Sequence, residues 1–353
     1  MNTKYQFSVF IGRFQPFHKG HLFNIEEALA ISDKLILVIG SANRARTIKN
    51  PFTFDERKAM IYSDLKNNGI DISNVIIEPV VDYFYEETAW EDDVKKSVSL
   101  HSSLGDKVAI VGHDKDSSSY YLKSFPSWDY ISTENYDGLN ATNLRDDLWS
   151  MQFHKLNTYL VNNKNEKGTA EFLNKFILSN KFSELVKEYE YIQQYKKSWQ
   201  NTPFPAVFVT VDAVIIHKES ILLIQRKNLP GKGLWAMPGG FIDKGERIKD
   251  AIIRELNEET QINVTSAQLH ENLLEIKVYD YPDRSARGRT ITHVGLFDLS
   301  CLSERPQVNA ADDANKAKWY SINDFQFIAS DMMDDHFQII NHLIKSVNIN
   351  LKS

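Results

Sequence analysis

The sequence comprises 353 residues, of which 42% are hydrophobic and 25% charged, as in globular proteins of about two domains. The formal net charge of −6 argues against a dedicated nucleic-acid-binding protein, which usually carries a strongly basic surface. Cys301 is the only cysteine, which excludes an intrachain disulfide and a cysteine-based zinc site and is typical of a reducing compartment. Since neither a signal-peptide pattern nor an apolar run of roughly 20 residues is found, we expect a cytoplasmic protein without a membrane partner.

The first half of the chain alternates short apolar strands with helical patterns. Strands are predicted at 7–11, 34–40, 75–80 and 107–111, and helices at 22–32, 53–68, 90–100 and 141–151. Thr53, followed three residues later by Glu56, is the expected N-cap of the second helix. Continuous apolar runs such as 34–40 indicate strands buried on both faces. This alternation predicts an α/β domain with a parallel sheet.

The second half has a different pattern. Residues 152–200 are helical and polar, and the segment NTPFP at 201–205 places two prolines where we expect a domain boundary. Strands then follow at 207–217, 220–226, 273–279 and 290–299, with helices at 248–263 and 331–347. The predicted organisation is a first domain at 1–180, a helical linker at 181–202 and a second, β-rich domain at 203–353.

A candidate phosphate site lies between the first strand and the first helix, where residues 12–21 read GRFQPFHKGH. At this position, free backbone N–H groups and the positive end of the helix dipole attract an anion. His18 and His21 are three residues apart, so one helical turn directs both imidazoles at the same phosphate. There they can donate hydrogen bonds to a phosphoryl transition state without forming a covalent bond.

The string resembles the signature of the HxGH nucleotidyltransferase superfamily, and its GRFQPFH form is similar to archaeal-type nicotinamide mononucleotide (NMN) adenylyltransferases. Further segments resemble the same family: GSAN at 40–43 with NPFT at 50–53, PVVD at 79–82 with Trp90, and NATNLR at 140–145. The last departs from the family's usual ISxTxxR, because Leu139 and Asn140 replace Ile and Ser. The resemblance implies a Rossmann-like, doubly wound sheet and adenylyl transfer from ATP to NMN, giving NAD and pyrophosphate with the help of Mg²⁺.

The same resemblance implies the functional residues of this domain. His18, His21 and Arg145 are expected to be catalytic. Trp90 is expected to stack on the pyridinium ring, with a place in the hydrophobic core as the alternative. The segment GHDKD at 112–116 resembles a loop on the nucleotide side of the sheet, at the end of a strand where ligands bind. The expected nucleotide-binding residues are Gly12, Arg13, Phe14, Gln15, Ser41, Asn43, Asp82, Trp90, Gly112 and Thr142.

A second candidate site is an acidic helix, in the stretch GFIDKGERIKDAIIRELNEETQI at 240–262. Glu255, Glu258 and Glu259 fall within an arc of about 100° on this helix. Clustered carboxylates repel one another, and a hard divalent cation with oxygen ligands removes that repulsion. Glu246 is suitably spaced to pair with Arg254 and hold the preceding loop on the helix. An ordinary acidic surface helix is the alternative.

This stretch resembles the Nudix hydrolase signature, except that Gln261 stands in place of a late glycine and is expected only to end the helix. The resemblance implies an α+β Nudix fold in which Mg²⁺, or else Mn²⁺, supports hydrolysis of a nucleoside diphosphate. The three glutamates are the expected catalytic residues. Glu246 and Arg254 are expected to form a structural pair. The expected metal ligands are Gly240, Glu255, Glu258 and Glu259.

The segment YPDRSARGR at 281–289 resembles the Arg-rich segment of Nudix proteins that act on ADP-ribose. Arg284, Arg287 and Arg289 are therefore expected to bind phosphates or the terminal ribose. An exposed basic hairpin is the alternative.

The order of the two signatures resembles the bifunctional NMN adenylyltransferase/Nudix hydrolases. The resemblance implies NAD synthesis by the first domain and hydrolysis of ADP-ribose to AMP and ribose 5-phosphate by the second. Nicotinate mononucleotide as acceptor, NADH or another dinucleotide as Nudix substrate, and a non-catalytic ADP-ribose sensor remain alternatives. The expected partners are ATP, NMN or NAD, and ADP-ribose, without nucleic acid, and the sequence leaves a homo-oligomer open.

Overall fold

The computed structural model describes residues 4–113, 122–134, 136, 139–155 and 168–346. The chain divides into two compact units, Met1–Lys187 and Glu188–Ser353. In the described part of the chain, no helix is long and apolar enough to cross a lipid bilayer.

The first unit is built on a sheet of five strands in the order β3-β2-β1-β4-β5. All four neighbouring pairs are parallel. Strands β2 and β3 lie on one side of β1, and β4 and β5 lie on the other, so the sheet is doubly wound as predicted and ligands are expected where the order reverses. The strands are β1 (Tyr5–Gly12), β2 (Ser32–Ile39), β3 (Val75–Pro79), β4 (Val108–Gly112) and β5 (Asp129–Ser132).

Helices cover both faces of this sheet because successive strand residues point in opposite directions. In β2, Leu35 and Leu37 belong to a core with the first two helices, whereas Ile36 and Val38 belong to a second core with the third helix. This explains why β2 reads as a continuous apolar run. The helices of the unit are α1 (Lys19–Ile31), α2 (Phe54–Asn67), α3 (Glu87–Ser99), α4 (Ala141–Trp149) and α5 (Thr169–Phe176).

The start of α2 is fixed by a capping box, which confirms the predicted N-cap. The Thr53 backbone N–H donates to Glu56 Oε2 at 2.8 Å, and the Glu56 backbone N–H donates to Thr53 Oγ1 at 3.3 Å. Two of the free N–H groups at this helix end are thereby satisfied.

The next helix, α6 (Asn180–Ser198), contains the boundary between the units. In the first unit, Phe182 stacks on Trp149 with ring centroids 5.9 Å apart. In the second unit, Tyr195 packs on Phe208 at 5.6 Å. Of the segment predicted as a helical linker at 181–202, the residues up to Ser198 are helical, and Phe182 and Tyr195 take part in packing.

The second unit contains a mixed sheet with the strand order β10-β11-β6-β7-β12. The pairing of β6 with β11 is parallel, and that of β6 with β7 is antiparallel. Two short strands extend the sheet, since β8 pairs with β7 and β9 pairs with β6. The strands are β6 (Val207–His217), β7 (Ser220–Arg226), β8 (Trp235–Ala236), β9 (Gly239–Phe241), β10 (Leu273–Tyr279), β11 (Arg289–Asp298) and β12 (Ala314–Ser321).

Helix α7 (Ile248–Thr260) packs Ile252 and Leu256 into a core with Val211 and Ala213 of β6. Gln261 ends this helix in a left-handed conformation, with φ of 43°. The last predicted helix begins at His336 rather than 331, because residues 329–331 form a separate 3₁₀ turn. The remaining helices are α8 (Ser266–Glu271), α9 (Ile322–Phe325) and α10 (His336–Ser346).

Candidate active sites

The β1–α1 loop brings the two predicted catalytic histidines together. His18 occupies the N-cap position of α1 and is 4% exposed. Its ring stacks on that of His21, with centroids 3.6 Å apart and planes 25° from parallel. His21 also lies against Phe14, at 4.7 Å between centroids. The structure therefore places both imidazoles at a helix N-terminus, at the carboxyl end of a central strand.

Two other predicted residues of this loop form its interior. Phe14 is buried, packs edge-on against Phe10, and fills the space beside Gly12, where a Cβ would lie 2.8 Å from the Phe14 ring. The Gln15 side-chain amide donates to the Phe52 carbonyl at 2.8 Å and accepts from the Phe52 N–H at 2.9 Å. Both side chains thus hold the loop in shape and leave its backbone to face a ligand. Arg13, in contrast, is exposed.

A second loop follows β2 and is tied to the loop after β3. Ser41 Oγ donates to Asp82 Oδ1 at 3.0 Å, and Arg44 Nε lies 3.8 Å from Asp82 Oδ2. The Oδ1 atom of Asn43 is buried and accepts no hydrogen bond within the described residues. Since buried polar atoms are normally satisfied, Asn43 is suited to contact a ligand.

Trp90 and Gly112 are two further predicted nucleotide-binding residues of the first unit. Trp90 is half-buried and packs near Phe125, with ring centroids 6.1 Å apart, as part of the core beneath α3. This packing supports the core alternative that the sequence left open. Gly112 ends β4, and a Cβ there would lie 2.8 Å from Leu122. Residues 114–116 of the predicted loop lie outside the described part of the chain.

The predicted second phosphate motif opens α4. Asn140 caps this helix by accepting from the Asn143 N–H at 2.9 Å, so the residue that replaces the family's serine has a structural role. Arg145 is buried and donates to the Gln15 carbonyl at 2.9 Å and to the Thr142 hydroxyl at 3.2 Å. Burial lowers the pKa of the Arg145 guanidinium to about 10, so it stays charged at neutral pH. Arg145 therefore links its own motif to the histidine loop.

In the second unit, Arg254 organises the acidic helix. Its guanidinium donates to Glu246 at 2.9 and 3.0 Å, and to Glu255 and Glu258 at 2.8 Å each. It also donates to the Phe241 carbonyl at 3.1 Å. The structure thus places the predicted structural pair in contact and adds two of the predicted metal ligands to the same network.

The glutamates of α7 approach the glycine-rich turn before it. The Gly239 N–H donates to Glu259 Oε2 at 2.8 Å, and a Cβ on Gly240 would lie 2.5 Å from Glu255 Oε1. Glu259 is 2% exposed, and burial raises its pKa to about 8. Burial also raises the pKa of Glu255. Such carboxylates are poorly stabilised as anions until a cation approaches.

These oxygen donors fit a hard divalent cation such as Mg²⁺ or Mn²⁺. Among the described residues, however, no three acidic, histidine or cysteine side chains converge closely enough to hold a metal as they stand. Arg254 engages Glu255 and Glu258, so their carboxylates must reorient for an ion to bind.

The three arginines of the 281–289 segment have different environments. Arg284 forms a bidentate ion pair with Asp335, at 3.0 and 2.8 Å, and Asp335 is 0% exposed. Arg289 pairs with Asp280 at 3.6 Å. Arg287 lies over the Phe241 ring at 5.0 Å, and its Nε is buried with no hydrogen-bond partner in the described residues. Arg287 is thus the best placed of the three to receive a ligand, whereas Arg284 is engaged in the interior.

Around Arg287 lies an aromatic cluster that the sequence analysis did not assign. Phe208 is central, at 5.6 Å from Tyr195, 5.1 Å from Trp199 and 6.1 Å from Phe241 between ring centroids. Spacing gives a partial signal, because Tyr195 and Trp199 are four apart on a helix and share a face. Their contact with β6 depends on tertiary structure.

Comparison with known proteins agrees with this two-site geometry. The cytidylyltransferase-like family model matches residues 9–143, and the NUDIX domain model matches residues 207–343. A crystal structure of a bifunctional NMN adenylyltransferase/ADP ribose pyrophosphatase from Francisella tularensis, complexed with AMP and Mn ion, is 50% identical. It covers 97% of this chain and 99% of its own, with a TM-score of 0.92. The chain belongs to this bifunctional family.

Two shorter relatives match one half each. A nicotinamide/nicotinic acid mononucleotide adenylyltransferase of Acinetobacter baylyi is 34% identical over 187 residues, which are 53% of this chain and 94% of the relative. An ADP-ribose pyrophosphatase of Methanocaldococcus jannaschii is 36% identical over 140 residues, 40% of this chain and 75% of the relative. The family's two activities thus have separate counterparts among known enzymes.

Proposed function

We propose that this chain synthesises NAD from ATP and NMN in residues 1–180 and hydrolyses ADP-ribose to AMP and ribose 5-phosphate in residues 203–353, with 181–202 as the helical connection. The observation that carries the first activity is the stacked His18–His21 pair at the start of α1. The second rests on Glu255 and Glu259 converging on the turn at Gly239 and Gly240. The cytoplasmic location stays a prediction.

In adenylyl transfer, a 5′-phosphate oxygen of NMN attacks the α-phosphorus of ATP. A new P–O bond forms, the bond between the α-phosphorus and the bridging oxygen breaks, and pyrophosphate leaves. His18 and His21 donate hydrogen bonds to the non-bridging oxygens as negative charge grows there. The N–H groups at the start of α1 add to this stabilisation. The chain thus contributes orientation and charge stabilisation, which is what phosphoryl-type transfer chiefly needs.

In ADP-ribose hydrolysis, water attacks one phosphorus of the diphosphate and the P–O–P bridge breaks. Glu255, Glu258, Glu259 and the Gly240 carbonyl are the proposed holders of a divalent cation, for which we propose Mg²⁺. When bound, such a cation activates water and screens the diphosphate charge. Arg254 pairs with Glu246 and so holds the preceding loop on the helix. Arg287, with its buried and unsatisfied Nε, is the proposed phosphate or ribose contact.

The decisive test is a product assay on the whole chain with Mg²⁺. NMN plus ATP should give NAD and pyrophosphate, and ADP-ribose should give AMP and ribose 5-phosphate. Nicotinate mononucleotide is the second acceptor to assay, because the A. baylyi relative is named for both the nicotinamide and the nicotinic acid mononucleotide. Absence of NAD would overturn the first assignment, and absence of AMP the second.

A further inference from the structure

Arg57 is a buried cation that the adenylyltransferase chemistry does not use directly. It lies in the first turns of α2 and is 1% exposed. Its guanidinium donates to the carbonyl oxygens of Arg13 and Gly40, at 2.7 Å each, and of Ser41 at 3.1 Å. Its Nε donates to the Thr53 carbonyl at 3.2 Å. Every one of these acceptors is a main-chain oxygen.

The acceptors belong to two different loops at one edge of the sheet. Arg13 lies in the β1–α1 loop, which carries the histidine pair, and Gly40 and Ser41 follow β2. Because β1 and β2 are adjacent and parallel, both loops leave the sheet at the edge where ligands bind in such folds. The planar guanidinium offers several donors in a fixed geometry. Arg57 therefore fixes the distance between the two loops.

Removing this charge from water lowers the stability of the folded state. In the described residues, Arg57 has no carboxylate within ion-pair distance, and burial lowers its pKa to about 10. The four hydrogen bonds to main-chain carbonyls therefore have to offset the cost of removing the charge from water. One acceptor, Ser41, also has a positive φ of 52°, a conformation that side-chain-bearing residues rarely adopt unless neighbouring contacts impose it.

We propose that Arg57 is a positioning residue for adenylyl transfer, which holds the histidine loop and the loop after β2 in the arrangement that receives the ATP phosphates. This inference rests on the proposed adenylyltransferase function. It predicts that loss of the guanidinium leaves the loops to be ordered by the nucleotide itself, so that only a fraction of the free protein is competent to bind.

The test measures the kinetics of NAD formation with respect to ATP and to NMN in the variants Arg57→Met and Arg57→Lys. Arg57→Met should raise KM for ATP about 10- to 100-fold, while kcat at saturating ATP stays within about threefold, because bound nucleotide orders the loops. Arg57→Lys should fall between the two, since one ammonium cannot span three carbonyls in fixed geometry. In Arg57→Ala, millimolar guanidinium chloride should lower KM again, whereas sodium chloride should not.

Two controls separate this role from a general loss of structure. ADP-ribose hydrolysis by the same chain should stay unchanged. Lys66→Met removes an exposed cation near the end of α2 and should leave KM for ATP at the wild-type value. Arg57→Lys carries the test if the other variants fail to fold. An unchanged KM in folded Arg57→Met and Arg57→Lys would overturn the proposal, as would a fall in kcat alone. Failure of the wild type to make NAD would instead contradict the proposed function.

Discussion

The candidate sites of the two units differ in the kind of ionisable group that they bury. In the first, Arg57 and Arg145 are buried cations whose hydrogen bonds go mostly to main-chain carbonyls of the loops around the histidine pair. In the second, Glu255 and Glu259 are buried or half-buried carboxyl groups beside a glycine turn, and burial raises the pKa of both. The first site therefore has buried cations that hold the loops of a proposed polyphosphate site, whereas the second presents carboxyl oxygens to a cation. This contrast explains how one chain combines two phosphate chemistries without sharing machinery.

The largest expected effect concerns the buried ion pair between Arg284 and Asp335 in the second unit. Asp335→Ala should lower the free energy of unfolding of that unit by about 3–5 kcal/mol, because Arg284 would stay buried without its counter-charge. Native-state hydrogen exchange of the β6 amides measures this.

The matched control for that variant is Asp280→Ala, which removes the exposed partner of Arg289. It should cost less than about 1 kcal/mol. Equal effects of the two variants would mean that Arg284 is not a structural residue and would return it to the candidate ligands.

A second prediction concerns an exception to the contrast, the buried carboxyl of Asp64 in the first unit. It accepts from the Thr169 N–H at 3.0 Å and the Thr169 hydroxyl at 2.6 Å, yet burial raises its pKa from 3.8 to about 6. The folded state thus holds the proton more tightly than the unfolded state. Stability from this group is present below about pH 4 and is lost as pH rises to about 6, by about 3 kcal/mol.

Asp64→Asn removes this titration and keeps an acceptor for Thr169. Between pH 4 and 7, the unfolding free energy of the variant relative to wild type should therefore rise by about 3 kcal/mol, read from hydrogen exchange of the α2 amides. A difference that does not change with pH would show that Asp64 does not titrate in this range.

The smallest predicted effect concerns the end of the acidic helix. Gln261 has φ of 43°, a left-handed conformation in which glycine is favoured. Gln261→Gly should stabilise the second unit by up to about 1 kcal/mol without changing ADP-ribose hydrolysis, as thermal unfolding and product assays would measure. Reduced hydrolysis would indicate that this side chain reaches the substrate.

Much of the fold follows from local sequence, because apolar runs and turn residues determine most strands. Strand β5 was not predicted because its four residues, DYIS, are too few and too polar to form a pattern. Strand β12, ANKAKWYS, was not predicted either, because most of its side chains are exposed or half-buried and its residues form no apolar pattern. Segments β8 and β9 have two and three residues, which no periodicity can identify.

The candidate sites also contain parts that a local sequence pattern reveals and parts that it does not. The histidine pair and the acidic set are contiguous motifs, so spacing alone places their side chains together. Arg57 contacts Arg13 from 44 residues away, and Arg284 contacts Asp335 across 51 residues. Whether an arginine faces a ligand, a carbonyl or a buried carboxylate depends on tertiary contacts, which residue type and local spacing do not contain.

The central claim is that the chain has two chemically independent sites, and a pair of single variants tests it most directly. Both products are measured for His21→Ala and for Glu258→Gln, with Asp250→Asn as a control on the same exposed side of α7. His21→Ala should lower NAD formation about 10²- to 10³-fold and leave AMP formation unchanged, and Glu258→Gln should do the reverse. Loss of both products in either variant, with the chain still folded, would contradict two independent sites.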